Sequence, residues 1–138
     1  MVETAQVAIH TQGNGDMHDL TSEAKSVLAK SGAQKGLLNV FVVGSTAGIT
    51  TIEFEPGLVQ DMKAAMERLA PEDGRYAHEE RWNDDNGHSH VRASTVGPSI
   101  CVPVVDGDLL LGTWQQIVLI DFDTRPRDRT IFIQVIGE

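Results

Sequence analysis

The run from Leu37 to Val43, LLNVFVV, constrains this chain more than any other stretch. Six of its seven residues are apolar and three are valines. Such side chains pack well on a pleated surface and lose rotamer freedom in a helix. The run therefore reads as a buried strand.

Other strands follow from alternation. Val2 to His10 sets Val7 and Ile9 on one face, and Ile49 to Phe54 sets Ile52 and Phe54 opposite Thr51, Glu53 and Glu55. The small residues Gly44 to Gly48 join the last of these strands to the buried run. The final third reads as strand throughout: Ser99 to Val105, Leu109 to Leu111, Ile117 to Phe122 and Thr130 to Ile136. Asp106-Gly107 is a strong hairpin signal, and Pro103 implies an edge or a bulge.

Two helices interrupt the strands. Leu20, Ala24, Val27 and Leu28 recur at helical spacing after the break at Gly13-Asn14-Gly15-Asp16, with Asp19 or Thr21 as N-cap and Gly32 as C-cap. Pro56 suits the first position of a second helix. Its stripe is Leu58, Val59, Met62, Ala65, Met66 and Leu69, it ends at Pro71, and its methionines read as core filler. The expectation is one α+β domain over residues 1–138, with mostly antiparallel β-sheets and two main helices.

Composition excludes several function classes. Net charge is −9, from 11 basic and 20 acidic residues, and this repels a phosphate backbone. The one basic cluster, Arg125-Pro126-Arg127-Asp128-Arg129, reads as a solvated turn, so no nucleic-acid partner is expected. No apolar run approaches the roughly 18 residues a membrane-crossing helix needs. The alternating N-terminus lacks a leader pattern. The single Cys101 cannot close a disulfide within the chain. A soluble, cytoplasmic protein without a membrane partner is expected.

The chemistry concentrates in HEERWNDDNGHSH, residues 78–90, where three His, two Glu and two Asp fall within thirteen positions. Imidazole and carboxylate groups bind divalent metals or move protons near neutral pH. The whole stretch from Glu72 to Gly97 is polar, and long stretches of this kind are usually functional or mobile. If a short helix begins near Asn86, then Asn86, His90 and Ser94 share one face. His88 and Arg92 then point away, and His88 is solvent-exposed. The spacing alone is equally consistent with three surface histidines in a polar loop.

Two further segments are candidates. Gly44-Ser45-Thr46-Ala47-Gly48 reads either as a tight connection or as a turn offering N–H groups to an anion. It matches neither a Walker loop nor a nucleophile elbow. In Gly112-Thr113-Trp114-Gln115-Gln116, Trp and Gln either line a pocket or serve structure, with Trp114 as core.

The order GLLNVFVVGSTAGITTIE, LAPEDGRYAH, DDNGHSHVRAS, VGPS, DGDLLLGTWQQIVLIDFD and a closing VIGE resembles the YjbQ-like family from about Gly36 to the C-terminus. The resemblance implies an α+β fold, a homotrimer, and a site near the subunit interface built from the histidine-bearing segments. Members are commonly labelled secondary thiamine-phosphate synthases, which join a pyrimidine pyrophosphate to a thiazole phosphate. His78, Asp85 and His90 match family positions and are the expected catalytic groups and ligands of a divalent metal, zinc or magnesium. Arg92, Ser94 and the turn residues Ser45 and Thr46 are the expected receivers of phosphate oxygens on a small phosphorylated substrate. Glu53 and Gln115 match further substrate-binding positions. Many bacterial members carry a His in an HTxA pattern where this chain has Gly44, which removes one candidate ligand or acid–base group. Besides the transferase, a metal-dependent hydrolase and a non-catalytic, ligand-binding trimer use the same residues.

Overall fold

The computed structural model describes all of residues 1–138. In chain order its elements are β1 (Val2–Thr11), β2 (Asp16–Asp19), α1 (Thr21–Ser31), β3 (Lys35–Val42), β4 (Ala47–Ile52) and α2 (Pro56–Leu69). Then come α3 (Ala77–Trp82), α4 (Gly87–Val96), β5 (Ser99–Val105), β6 (Asp108–Leu109), β7 (Gln116–Asp121) and β8 (Arg127–Gly137). The expected α+β architecture is present, with four helices where two were expected. No helix is long and apolar enough to cross a membrane.

Two antiparallel sheets form. The larger has the order β1-β8-β3-β5-β6, and the smaller β2-β7-β4. The main core lies between them: Leu38, Val40 and Val42 of β3, Ile131, Ile133 and Val135 of β8, and Val102 and Val104 of β5 face Ile117, Leu119 and Ile49. Leu20, Ala24, Val27 and Leu28 of α1 close the same core. The outer face of the smaller sheet packs Val118, Ile120 and Phe122 against Ala93 of α4 and Met62 and Met66 of α2. The chain is therefore layered as large sheet, small sheet with α1 beside it, and a helical layer of α2 and α4.

Local signals account for most boundaries. Gly32 caps α1 in the left-handed conformation (φ 70°), its N–H bonding to Ala29 and Leu28 carbonyls. At α2 the Glu55 carboxylate accepts from the backbone N–H groups of Gly57 and Leu58, and Pro56 opens the helix. Asp106 and Gly107 both take positive φ, as a type I′ hairpin requires. At the C-terminus Gly36 and Gly137 are paired across β3 and β8. A Cβ on either would fall 2.1 Å from a backbone carbonyl of the neighbouring strand. Contact this close explains the glycine of the terminal IGE.

Several expectations need correction. The run Leu37 to Val43 is buried on one face only, and Leu37, Phe41 and Val43 are exposed beside Phe132 and Ile136. The strand after the Asp-Gly turn is only two residues long, and Leu111 follows it outside any strand. The short strand β2, hidden in the sequence behind a glycine-rich break, edges the smaller sheet. The polar stretch after α2 is not one long loop but carries α3 and α4. Trp114 is 71% exposed and does not serve as core. Nor is the basic cluster a solvated turn, because Arg127 and Arg129 stand in β8 and Arg129 is buried.

Candidate functional site

Helices α3 and α4 bring two of the predicted histidines together. Asn83 ends α3 in the left-handed conformation, φ 53°, which turns the chain back through Asp84 and Asp85 into α4. His78, in the first turn of α3, and His90, in the first turns of α4, then stack with ring centroids 4.4 Å apart. His78 Nε2 pairs with Asp84 Oδ2 at 3.0 Å. Asn86, with its amide nitrogen facing Asp84, donates to both carboxylate oxygens at 3.3 Å. Asn86, Asp84 and His78 form a hydrogen-bonded chain with His90 packed on its end, beside the Gly44–Thr46 turn, whose Ser45 backbone favours the protonated form of His90.

Electrostatics separates the two imidazoles. Burial, and then the neighbouring His78, hold the His90 pKa below the usual histidine value. Asp123, Asp84 and the Ser45 contact oppose this without reversing it. His90 is therefore neutral near pH 7, while His78 keeps its Nε2 on the Asp84 carboxylate. Two adjacent groups in unlike environments suit acid and base roles.

Beneath the turn lies a polar network at the corner where the chain leaves β7 for β8. Arg129, 7% exposed, donates through Nε and Nη2 to Asp121 at 2.6 and 2.9 Å. Nη2 also reaches the Thr46 hydroxyl at 2.6 Å. Thr46 in turn donates to Asp123, which also accepts from Arg127 Nε, each at 2.9 Å. Burial pushes the Asp123 pKa up, but the Thr124 N–H, the Thr46 hydroxyl and Arg127 outweigh it and hold the carboxyl below its usual value. None of Asp121, Asp123, Arg127 or Arg129 was singled out as a site residue from the sequence. The alternation of IDFD and RDR, each placing two charges on one strand face, was the available signal.

The remaining candidates divide. Ser45 and Ser94 line one small cavity of about 150 Å³ with Gly44, Ala47, Ala93 and Pro98. Thr46 adjoins it, but its hydroxyl is engaged. Asp85 accepts from the Thr124 hydroxyl at 3.0 Å instead of facing the imidazoles, and Asp84 takes the place expected of it. Arg92 does not reach the turn: it bonds the Ala70 carbonyl and Glu67, on the opposite side of α4. His88 was expected in solvent and is instead 2% exposed, with its ring near Tyr76 and its Nδ1 unpartnered. Asn86, His90 and Ser94 do share a face of α4, but the opposite face packs on the small sheet through Ala93 and Val96, with Tyr76 beside His88. Glu53 follows β4 at the end remote from Ser45, roughly 25 Å away along an extended chain. Gln115 bonds Thr51 at that same far end.

Within one chain no group of three His, Cys, Asp or Glu side chains is placed to hold an ion.

Residues 5–138 match the family model described as UPF0047 protein YjbQ-like. A UPF0047 protein of Methanothermobacter thermautotrophicus is 38% identical over 99% of this chain and 94% of its own length. YugU of Bacillus subtilis, a further UPF0047 protein, is 36% identical over 99% of this chain and all of its own. Among solved structures, a hypothetical protein from Aeropyrum pernix superimposes with a TM-score of 0.90 at 33% identity, covering 99% of both chains. A YbjQ-like protein of unknown function from Sulfolobus solfataricus gives 0.89 at 29% identity, covering both chains in full.

Proposed function

The chain belongs to the YjbQ-like UPF0047 family, and we propose that it is an enzyme in which His78 and His90 move a proton on a small phosphorylated substrate. The observation that carries this reading is the 4.4 Å contact of the two rings, with a carboxylate on one and a depressed pKa on the other. The Asn86–Asp84 pair orients His78 toward His90. In this reading His90 is the base, and His78, hydrogen-bonded to Asp84, is the acid. General acid–base groups of this kind contribute about 10²–10⁴-fold to a rate. Ser45 and Ser94 face the substrate from the adjoining cavity.

Within that class, joining a pyrimidine pyrophosphate to a thiazole phosphate is the reaction the family resemblance suggests. Its departing pyrophosphate needs charge stabilisation. Hydrolysis of another small phosphate ester needs the same, so a product analysis separates the two. We also read the working unit as a homotrimer, as the family resemblance implies; the apolar pairs Leu37–Ile136 and Phe41–Phe132, on either side of Asn39–Gln134 on the outer face of the large sheet, offer a surface for a neighbouring copy. A second copy covering that surface would complete the burial that the sequence of β3 implies.

The test is turnover of the pyrimidine pyrophosphate and thiazole phosphate pair, beside a panel of phosphate esters, by the wild type and by His90→Ala and His78→Ala. Each variant is expected to stay folded and to lose at least 100-fold in kcat on whichever substrate turns over. A flat panel, with ligand-induced thermal stabilisation intact, would favour a non-catalytic binding protein. Stoichiometric zinc or magnesium lost in His90→Ala would place a metal at the pair and contradict the reading in which the two imidazoles act as acid and base.

A further inference from the structure

We propose that Arg129, uncovered by the absence of a side chain at Gly44, is the oxyanion-binding group of this chain, assisted by Arg127. The ligand class is a small molecule presenting a phosphate, pyrophosphate or carboxylate group. The proposal rests on the His78–His90 reading for where the rest of the substrate lies, and stands apart from it for the anion contact.

Donors and acceptors in the network do not balance. Asp121 Oδ1 accepts from the Asp123 N–H and Arg129 Nη2, and Oδ2 accepts from Arg129 Nε and the Thr11 hydroxyl. Asp123 Oδ1 accepts from the Thr124 N–H, and Oδ2 from the Thr46 hydroxyl and Arg127 Nε. The Thr46 oxygen itself accepts from Arg129. Every carboxylate oxygen is engaged, and only Asp123 Oδ1, bonded once, keeps a free lone pair. What is left is mostly donor capacity: Arg129 Nη1 and both terminal nitrogens of Arg127 make no hydrogen bond within the chain. A ligand joining this network must bring acceptors, and charge on those acceptors makes the bonds stronger.

Gly44 decides whether such a ligand can arrive. A Cβ there would sit 2.7 Å from Arg129 Nη1, and the residue holds φ at +132°. Any side chain would have to displace the guanidinium or cover it. With glycine in place, Nη1 faces the first residue of the turn with no side chain over it, and the next residue, Ser45, lies beside His90. An anion seated on Nη1 is therefore held one residue from the imidazole pair. Arg129 cannot swing away to meet it, because two of its nitrogens are fixed on Asp121 and Thr46, so the donor is preorganised. This also supplies the cation that Arg92, turned toward Glu67, does not.

The experiment follows the arginine side-chain N–H signals by NMR while the full protein is titrated, at fixed ionic strength, with inorganic phosphate, pyrophosphate or acetate. The Arg129 and Arg127 signals are expected to shift together and saturate, with Arg68 and Arg81 as unmoved references. Arg127→Gln should weaken the anion at least tenfold, and Gly44→Ala should abolish the Arg129 response. Should Gly44→Ala fail to fold, Arg127→Gln, whose side chain is 41% exposed, carries the test. The anion that saturates at lowest concentration separates a phosphate ligand from a carboxylate. Arg129 signals that ignore all three anions, or that move no more than the references, would overturn the proposal. Repeating the titration in His90→Ala keeps the two readings apart: a surviving response with dead catalysis preserves the anion site alone, whereas full activity in His90→Ala removes only the acid–base reading.

Discussion

Arg129 and Asp121 meet through two parallel hydrogen bonds with side-chain exposures of 8% and 0%. Removing one member of such a pair leaves an uncompensated buried charge. Arg129→Met is expected to cost about 3–5 kcal/mol, read from urea unfolding, whereas Arg127→Met, partly solvated, should cost far less. Asp123 acts through pH. Its folded pKa lies below the ordinary 3.8, so its stabilisation is full above that value and is lost as pH falls through the folded one. Asp123→Asn should flatten the acid limb of a stability–pH curve. His90 is depressed from an ordinary 6.5, so the unfolded chain takes up a proton first. Stability should then decline as pH falls through 6.5 toward the folded value, and His90→Asn should remove that slope. A slope unchanged in His90→Asn would contradict the depressed assignment.

At the scale of elements, the strands and two long helices were legible because each carries its own period and its own stops. Gly32, Pro56 and the Asp106-Gly107 pair act within a few residues of themselves, so neighbouring sequence suffices to see them. The shared face of Asn86, His90 and Ser94 was legible for the same reason. What covers the other face was not: His88 is buried by Tyr76, twelve positions earlier, and the fold alone brings them together. Likewise the Arg129–Asp121 pair joins strands of different sheets: the alternation in IDFD and RDR offers the charges, but nothing local says that they meet. Helix α2 shows the reverse case. Its stripe is clear in sequence, yet none of its residues is fully buried, because it lies outermost on the small sheet. Helices held by few buried contacts open more readily. Amide exchange in α2 should therefore be faster than in β7 and β8, and equal protection would contradict this layering.

At the scale of the molecule, the layered arrangement explains why the chemistry sits where it does. The chain crosses from the small sheet to the large one between β7 and β8, and the charged residues of that crossing support the Gly44–Thr46 turn from beneath. The helical layer lays His78 and His90 against the same turn. The outer face of the large sheet, with Leu37, Phe41, Phe132 and Ile136 open to solvent, lacks any such layer. The β3 run was read as buried, and a second copy of the chain is what would make it so. Light scattering after size exclusion should give three times the chain mass, and Phe41→Glu should shift it toward one. A wild type that runs as a monomer would contradict the assembly. The central claim, however, is that the histidine pair is a working acid–base site, and its most direct test is an NMR titration of the imidazole C–H signals with and without pyrophosphate. The expected His90 midpoint lies below 6.5, returns toward that value in His78→Ala and moves when pyrophosphate binds. A His90 midpoint at the ordinary value, indifferent to both His78 and pyrophosphate, would contradict it.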